Sequence, residues 1–194
     1  MSRLIDTRRN VRPSGVEAYF DLDEIIVTKT DPRGILTYAN EIFVRMSGYT
    51  EQELIGQPHN VIRHPDMPRA IFEVLWSHLK AGREVFAYVV NLAADGSHYW
   101  VFAHVTPSVT PDGTVLGYHS NRRVPDRGAV REVTALYARL RATEQRQPDA
   151  RSALEASSAE LSALLAAQGM DYDAWVWSIT PSETSDTETH GRAA

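Results

Sequence analysis

Residues 58–68, PHNVIRHPDMP, bring His59, Asn60, Arg63, His64 and Asp66 within eight positions, directly ahead of an apolar helical pattern. A guanidinium such as that of Arg63 either sits as a solvated charge in a surface ion pair or makes paired hydrogen bonds to a pyrophosphate. His59 and His64, five apart with no third ligand near them, are a weak metal signal. His64 precedes Pro65, which presses it toward extended geometry, where it can support the loop by hydrogen bonding or stack on a flat ligand. Asp66 stands before the helix with Pro68 early in the first turn. A carboxylate there caps exposed N–H groups and meets the positive end of the helix dipole.

Three residues elsewhere carry the same double reading. Asn40 opens NEIFVRMSG and is a good helix N-cap, but its amide can also support a ligand. Trp76 falls on the apolar stripe of the helix that follows the polar cluster, so it is either plain core or the wall of a binding site. Asn91 interrupts the apolar run YVVNLA on an expected strand. A buried amide must find partners, so it marks either an edge or bulge position or a contact to something bound.

Composition narrows the chemistry. The 194 residues contain no cysteine, which removes disulfides, thiolate metal or haem ligation, cysteine nucleophiles and photochemistry through a cysteinyl adduct. A net charge of −5 argues against nucleic acid as a partner. No apolar run is long enough to span a membrane, and the N-terminus shows no signal peptide, so the expected location is cytoplasmic. No acid–base pair or nucleophile constellation points to an enzyme.

The elements that must position these residues follow from pattern. EIIVTKT (24–30) and ILTYA (35–39) flank the turn DPRG and read as a hairpin. Short helices follow, one capped by Asn40 and stopped by Gly48, the next opened by the capping box of Thr50 and Glu53. A helix over 67–82 carries Phe72, Leu75, Trp76 and Leu79 on one stripe. Runs 85–93, 98–106 and 114–123, separated by Asp95-Gly96 and Asp112-Gly113, read as an antiparallel meander. The order argues for an α+β domain in which a five-stranded antiparallel sheet carries short helices on one face. Alternation in 98–107 puts Tyr99, Val101, Ala103 and Val105 on one side. His98, Trp100, Phe102 and His104 fall on the other, to be covered by the N-terminal arm, the C-terminal helices or a second subunit.

The expected organisation is an arm over 1–20, a domain over 21–126, a helical extension over 127–169, and an aromatic segment with a disordered polar tail over 170–194. The extension reads as two helices outside the core, broken at Pro148.

The stretch ILTYANEIFVRMSGYTEQELIGQPHNVIRHPDMP, with LWSHLKAG and DGSHYWVFAHVTP, resembles a PAS domain, specifically the flavin-binding PAS domain of Aer-type aerotaxis receptors. YAN…F…SGYT is shared by many PAS domains; PHNVIRHPDMP is far more selective. The similarity covers roughly residues 24–125. It implies FAD held without a covalent bond between sheet and short helices, and a report of redox state or electron flow to chemotaxis machinery. It implies cofactor roles for Asn40, Asn60, Arg63, His64, Asp66, Trp76 and Asn91, with Asn91 at the ring edge and the Tyr99/Val101 side facing the ligand. Where the family has Trp and small residues, this chain has Val85, Phe86, Ala87 and Tyr88, and Tyr88 is expected to narrow the cavity.

The resulting expectation is a soluble, stand-alone redox sensor, a homodimer that signals to a chemoreceptor or kinase. The family's membrane anchor and methyl-accepting region are not seen in this sequence. FMN in place of FAD, a haem-binding gas sensor with an imidazole ligand, and a cofactor-free interaction module are the alternatives.

Overall fold

The computed structural model describes residues 11–181. Strands β1 (Ile26–Thr30) and β2 (Leu36–Ala39) form the expected hairpin. Helices α1 (Glu41–Ser47) and α2 (Glu51–Leu54) follow, then a 3-10 turn (His59–Ile62) and helix α3 (Arg69–Lys80). Strands β3 (Val85–Leu92), β4 (His98–Val109) and β5 (Val115–Arg123) make the meander, and helices α4 (Arg127–Gln145), α5 (Ala150–Ala167) and α6 (Tyr172–Ile179) complete the described chain. The strands form one antiparallel sheet in the order β2-β1-β5-β4-β3. The α+β architecture, with short helices on one face and C-terminal helices added, is therefore as the pattern predicts. No helix among the described residues is long and apolar enough to cross a membrane.

Register decides which side chains share a face. Val85 pairs with Val105, which pairs with Ser120, while Asn91 pairs with Tyr99 and Ala103 with Arg122. Period-2 alternation then gathers Val89, Asn91, Tyr99, Val101, Ala103, Ser120 and Arg122 on the face toward α1–α3. Ile26 and Thr28 of β1 join it, paired with Arg122 and Ser120.

The opposite face carries Phe86, Tyr88, Trp100, Phe102 and His104, and it is not left to solvent. Trp177 of α6 lies over Phe86 and Phe102, with ring centroids 4.7 and 6.0 Å away, and Tyr137 of α4 lies 6.1 Å from Trp100. This corrects the expectation that the C-terminal helices stand outside the core. Val133 and Leu140 of α4 and Leu161 of α5 are buried in one cluster with Ile71 and Leu79 of α3 and Val85 of β3. The reason is that β3 is an edge strand with bulk on both faces, and the apolar stripe Val130, Val133, Tyr137 and Leu140 removes that surface from water.

The edge of β3 is closed group by group. Tyr137 Oη donates to the Tyr88 carbonyl at 2.6 Å, Val90 N–H meets Met67 Sδ at 3.4 Å, and the backbone of Arg63 forms an isolated bridge with Asn91.

The arm docks at the start of β4. Ser14 N–H donates to Gly96 O at 2.8 Å, and Ala18 N–H donates to His98 O at 2.8 Å. Glu17 receives both guanidinium nitrogens of Arg127, at 2.6 and 2.8 Å, which ties the arm to the start of α4. Gly96 has a positive φ of 88°, and a Cβ there would come within 2.5 Å of Arg12 O, so the turn requires glycine. Residues 1–10 and the polar tail from 182 lie outside the described residues.

Candidate functional site

Between the sheet and α3 lies a cavity of about 260 Å³, walled by Thr28, Ala103, Val105, Tyr118, Ser120 and Arg122 from the strands and by Phe72, Leu75, Trp76 and Leu79 from the helix. Its size falls just under the range of roughly 300–1,000 Å³ usual for small-molecule sites and suits one flat ring system. The apolar stripe of α3 makes one wall because its 3.6-residue period turns those four side chains toward the sheet. Trp76 stands edge-on to Tyr118, with centroids 5.5 Å apart, and reaches this position through the turn before β2. There Gly34 has φ 83°, and an added Cβ would sit 3.3 Å from the Trp76 ring.

Of the seven residues singled out from the sequence, Asn60, Arg63, Trp76 and Asn91 line this cavity. Asn91 is buried, and its Nδ2 has no hydrogen-bond partner among the described residues. Arg63 stands at the rim with its guanidinium over the Phe72 ring, 4.4 Å from the centroid, and donates to Met67 O at 3.2 Å. Burial lowers its pKa first, and the nearby Arg69 guanidinium adds to the effect.

Asn40, His64 and Asp66 do not line the cavity. Asn40 caps α1: its Oδ1 accepts from Phe43 N–H at 3.1 Å and Val27 N–H at 3.0 Å, and its Nδ2 donates to Ile25 O at 2.8 Å. One amide therefore joins helix and hairpin. His64 is buried beneath the loop, where its Nδ1 accepts from Asp66 N–H at 3.1 Å. Burial is the main cause that lowers the His64 pKa, which keeps the ring neutral and that nitrogen an acceptor.

Asp66 is not the cap its position implies. Helix α3 begins two residues later than expected, with Pro68 at the N-cap position and no side-chain hydrogen bond there, and the Asp66 carboxylate is 77% exposed. The Pro65-Asp66 turn carries it outward, and the capping oxygen comes from Glu144, whose Oε1 accepts from Arg69 N–H at 2.6 Å. Tyr88 likewise departs from expectation. Alternation puts it on the outer face, where its hydroxyl meets Thr180 Oγ1 at 2.9 Å, so Val89 and not Tyr88 faces the cavity.

The structure adds residues that sequence reasoning missed. Arg122 is buried in the sheet, and among the described residues no carboxylate is hydrogen-bonded to it. Its Nη2 donates to Thr28 Oγ1 at 2.9 Å and to His59 Nε2 at 2.6 Å, while its Nη1 has no partner among the described residues. Burial pushes its pKa down to about 10, leaving it charged at neutral pH. His59 is pushed down to about 3, by burial of its ring first and the adjacent guanidinium second. It is thus a neutral acceptor, held in a 3-10 turn. Ser120 Oγ is also buried at the cavity without a partner. The available signal was alternation in β5: Tyr118, Ser120 and Arg122 share a face, and an inward Arg on a central strand cannot be a solvated charge.

The cavity can therefore offer donors from Asn91 and Arg122 and a hydroxyl from Ser120 to a flat molecule flanked by apolar walls, with a cation at the rim for its polar end.

The PAS fold family matches residues 36–121. The chain is 43% identical over 120 residues to the aerotaxis receptor of Escherichia coli strain K12, covering 62% of this chain and 24% of the receptor. It is 30% identical over 99 residues to the nitrogen fixation regulatory protein of Klebsiella pneumoniae, covering 51% of this chain and 20% of that protein. It thus spans under a quarter of the length of these two relatives. The crystal structure of a PAS domain from Colwellia psychrerythraea superposes with a TM-score of 0.48 at 21% identity, over 52% of this chain and 85% of that one.

Proposed function

With residues 36–121 forming a PAS domain, we propose that the chain is a redox sensor that binds FAD without a covalent bond and signals to a partner protein. The observation that carries this reading is the convergence of three buried, unpartnered polar groups on one cavity: Asn91 Nδ2, Ser120 Oγ and Arg122 Nη1. Unpaired buried polar groups each cost about 1–3 kcal/mol, and the carbonyl-bearing edge of a flavin ring supplies the acceptors they lack. Phe72, Leu75, Trp76 and Leu79 flank the ring, and Arg63 meets the diphosphate at the rim. Arg69 and Arg141 lie close enough to Arg63 to lower its pKa, and this gathering of cations suits a diphosphate better than the single phosphate of FMN.

A bound flavin supplies reversible electron transfer with a change in the hydrogen-bonding character of its ring. Asn91 answers such a change because its amide is donor and acceptor in one group and can rotate between them. Its backbone is bridged to Arg63, so a shift at Asn91 reaches the loop and the start of α3. Arg122 favours negative charge beside Nη1 and so raises the potential of whatever binds there.

As such a sensor the chain works in the cytoplasm, as a homodimer that passes its signal to a chemoreceptor or kinase. The groove lined by Leu22, Ile25 and Trp177 provides apolar surface for that contact, with Trp177 half exposed. A haem is disfavoured because the imidazole that lines the cavity among the described residues, His59, spends its Nε2 on Arg122. Equilibrium dialysis against FAD tests the proposal. One equivalent bound by the wild type, with binding weakened in N91L and R122M, is the expected result, and no uptake of FAD refutes it.

A further inference from the structure

Glu144 carries its charge in the wrong place for its own helix. It stands in the last turn of α4, where the partial negative charge of the helix end disfavours a carboxylate, yet its side chain is only 2% exposed. Its partners give the reason. Oε1 accepts the N–H of Arg69, the first residue of α3, at 2.6 Å, and Oε2 accepts from Arg141 Nη1 at 2.8 Å. The carboxylate that offends the end of α4 serves the start of α3, which has no side-chain cap of its own.

Arg63 feels the same charge. The guanidinium at the cavity rim is opposed by Arg69 and Arg141 and favoured by Glu144. Arg141 Nε, moreover, is buried without a partner. One carboxylate, bonded to the Arg141 guanidinium and to the Arg69 backbone, thus stands among three guanidinia, leaving a positive surplus where the polar end of a ligand would arrive. Helix α5 packs on α3 beside this junction, with Leu161 and Leu165 in the same buried cluster as Ala70 and Ile71.

We propose that Glu144 is a latch between the ligand site and the C-terminal helices: an anionic group bound at Arg63 competes with the Glu144 carboxylate for the positive charge of neighbouring Arg141 and loosens the end of α4, together with α5, from α3. Occupancy of the cavity is then reported as release of α4 and α5. This rests on the reading of the cavity as a flavin site with the diphosphate at Arg63. Glu144 touches no ligand; it acts by positioning the start of α3.

The test compares amide hydrogen exchange of the full chain alone, with FAD, and with riboflavin, which fills the cavity but carries no phosphate. FAD should remove protection from residues 140–165, and riboflavin should leave it intact. In E144Q, which keeps an acceptor for the Arg69 N–H without the charge, FAD should bind about tenfold more tightly than to the wild type, with riboflavin affinity unchanged. Equal exchange with the two flavins, or an equal change in both affinities in E144Q, overturns the latch alone. Failure to take up either flavin overturns the reading of the cavity and this inference with it. The wild-type exchange comparison decides the matter without any variant.

Discussion

Arg122 Nη2 lies 2.6 Å from His59 Nε2 deep in the sheet face, and since a guanidinium can only donate, that imidazole nitrogen carries no proton. The contact sets a pH dependence. The unfolded chain protonates His59 near 6.5, whereas the folded chain does so only near 3. Between these values the unfolded state holds more protons, so stability is complete above about pH 6.5 and falls as pH drops through the window. The slope is about 1.4 kcal/mol per pH unit for this one group. His64, also lowered by burial, adds in the same direction. Urea unfolding between pH 7 and pH 4 should show a shallower decline in H59Q than in the wild type, and identical slopes would contradict the assignment.

Arg122 is expected to separate stability from binding. Among the described residues no carboxylate is hydrogen-bonded to its buried charge, and a bound acceptor would satisfy Nη1, which Thr28 and His59 leave free. R122M should leave the thermal midpoint of the ligand-free protein equal or higher, by up to about 2 kcal/mol of stability. It should also weaken flavin binding by about 100-fold, in line with loss of a charged hydrogen bond. Calorimetry of both proteins checks this, and a lower midpoint with unchanged affinity would show that Arg122 is structural only.

Asn91 carries a milder version of the same expectation. Because Nδ2 has no partner in the protein, N91A should change ligand-free stability by less than about 1 kcal/mol while reducing flavin affinity about tenfold. Chemical denaturation and a binding isotherm on the same sample are sufficient. A loss of several kcal/mol would mean that the amide holds the strand and not a ligand.

The Tyr137 hydroxyl is predicted to hold the C-terminal helices to the sheet. Y137F keeps the ring against Trp100 but leaves the Tyr88 carbonyl at the β3 edge unsatisfied, at a cost of about 1–3 kcal/mol. Faster amide exchange in β3 and α4, with the rest of the sheet unchanged, is the expected signature. Unchanged exchange there would place the stability of the edge elsewhere.

The strands, the turns and the two capping boxes or caps at Thr50 and Asn40 were legible because they are local: alternation, Asp-Gly pairs and cap residues act within a few positions. Asn91 was legible because a polar residue in an apolar run must answer to something. What was not legible depends on partners distant in sequence. The cap of α3 comes from Glu144, 75 residues away, and no local rule predicts an acid in the last turn of α4. Arg122 reads as one more charge in SNRR until the register with Ala103 and Ile26 turns it inward. The docking of α4 follows from the bulk on the outer face of β3, which gives the stripe of Val133 and Leu140 its counterpart.

The visible absorption spectrum of the purified protein after incubation with FAD and removal of free cofactor tests the central claim most directly. A yellow protein with a structured flavin band that bleaches with dithionite and returns in air is the predicted result. A colourless protein, with the added FAD recovered in the wash, would contradict it.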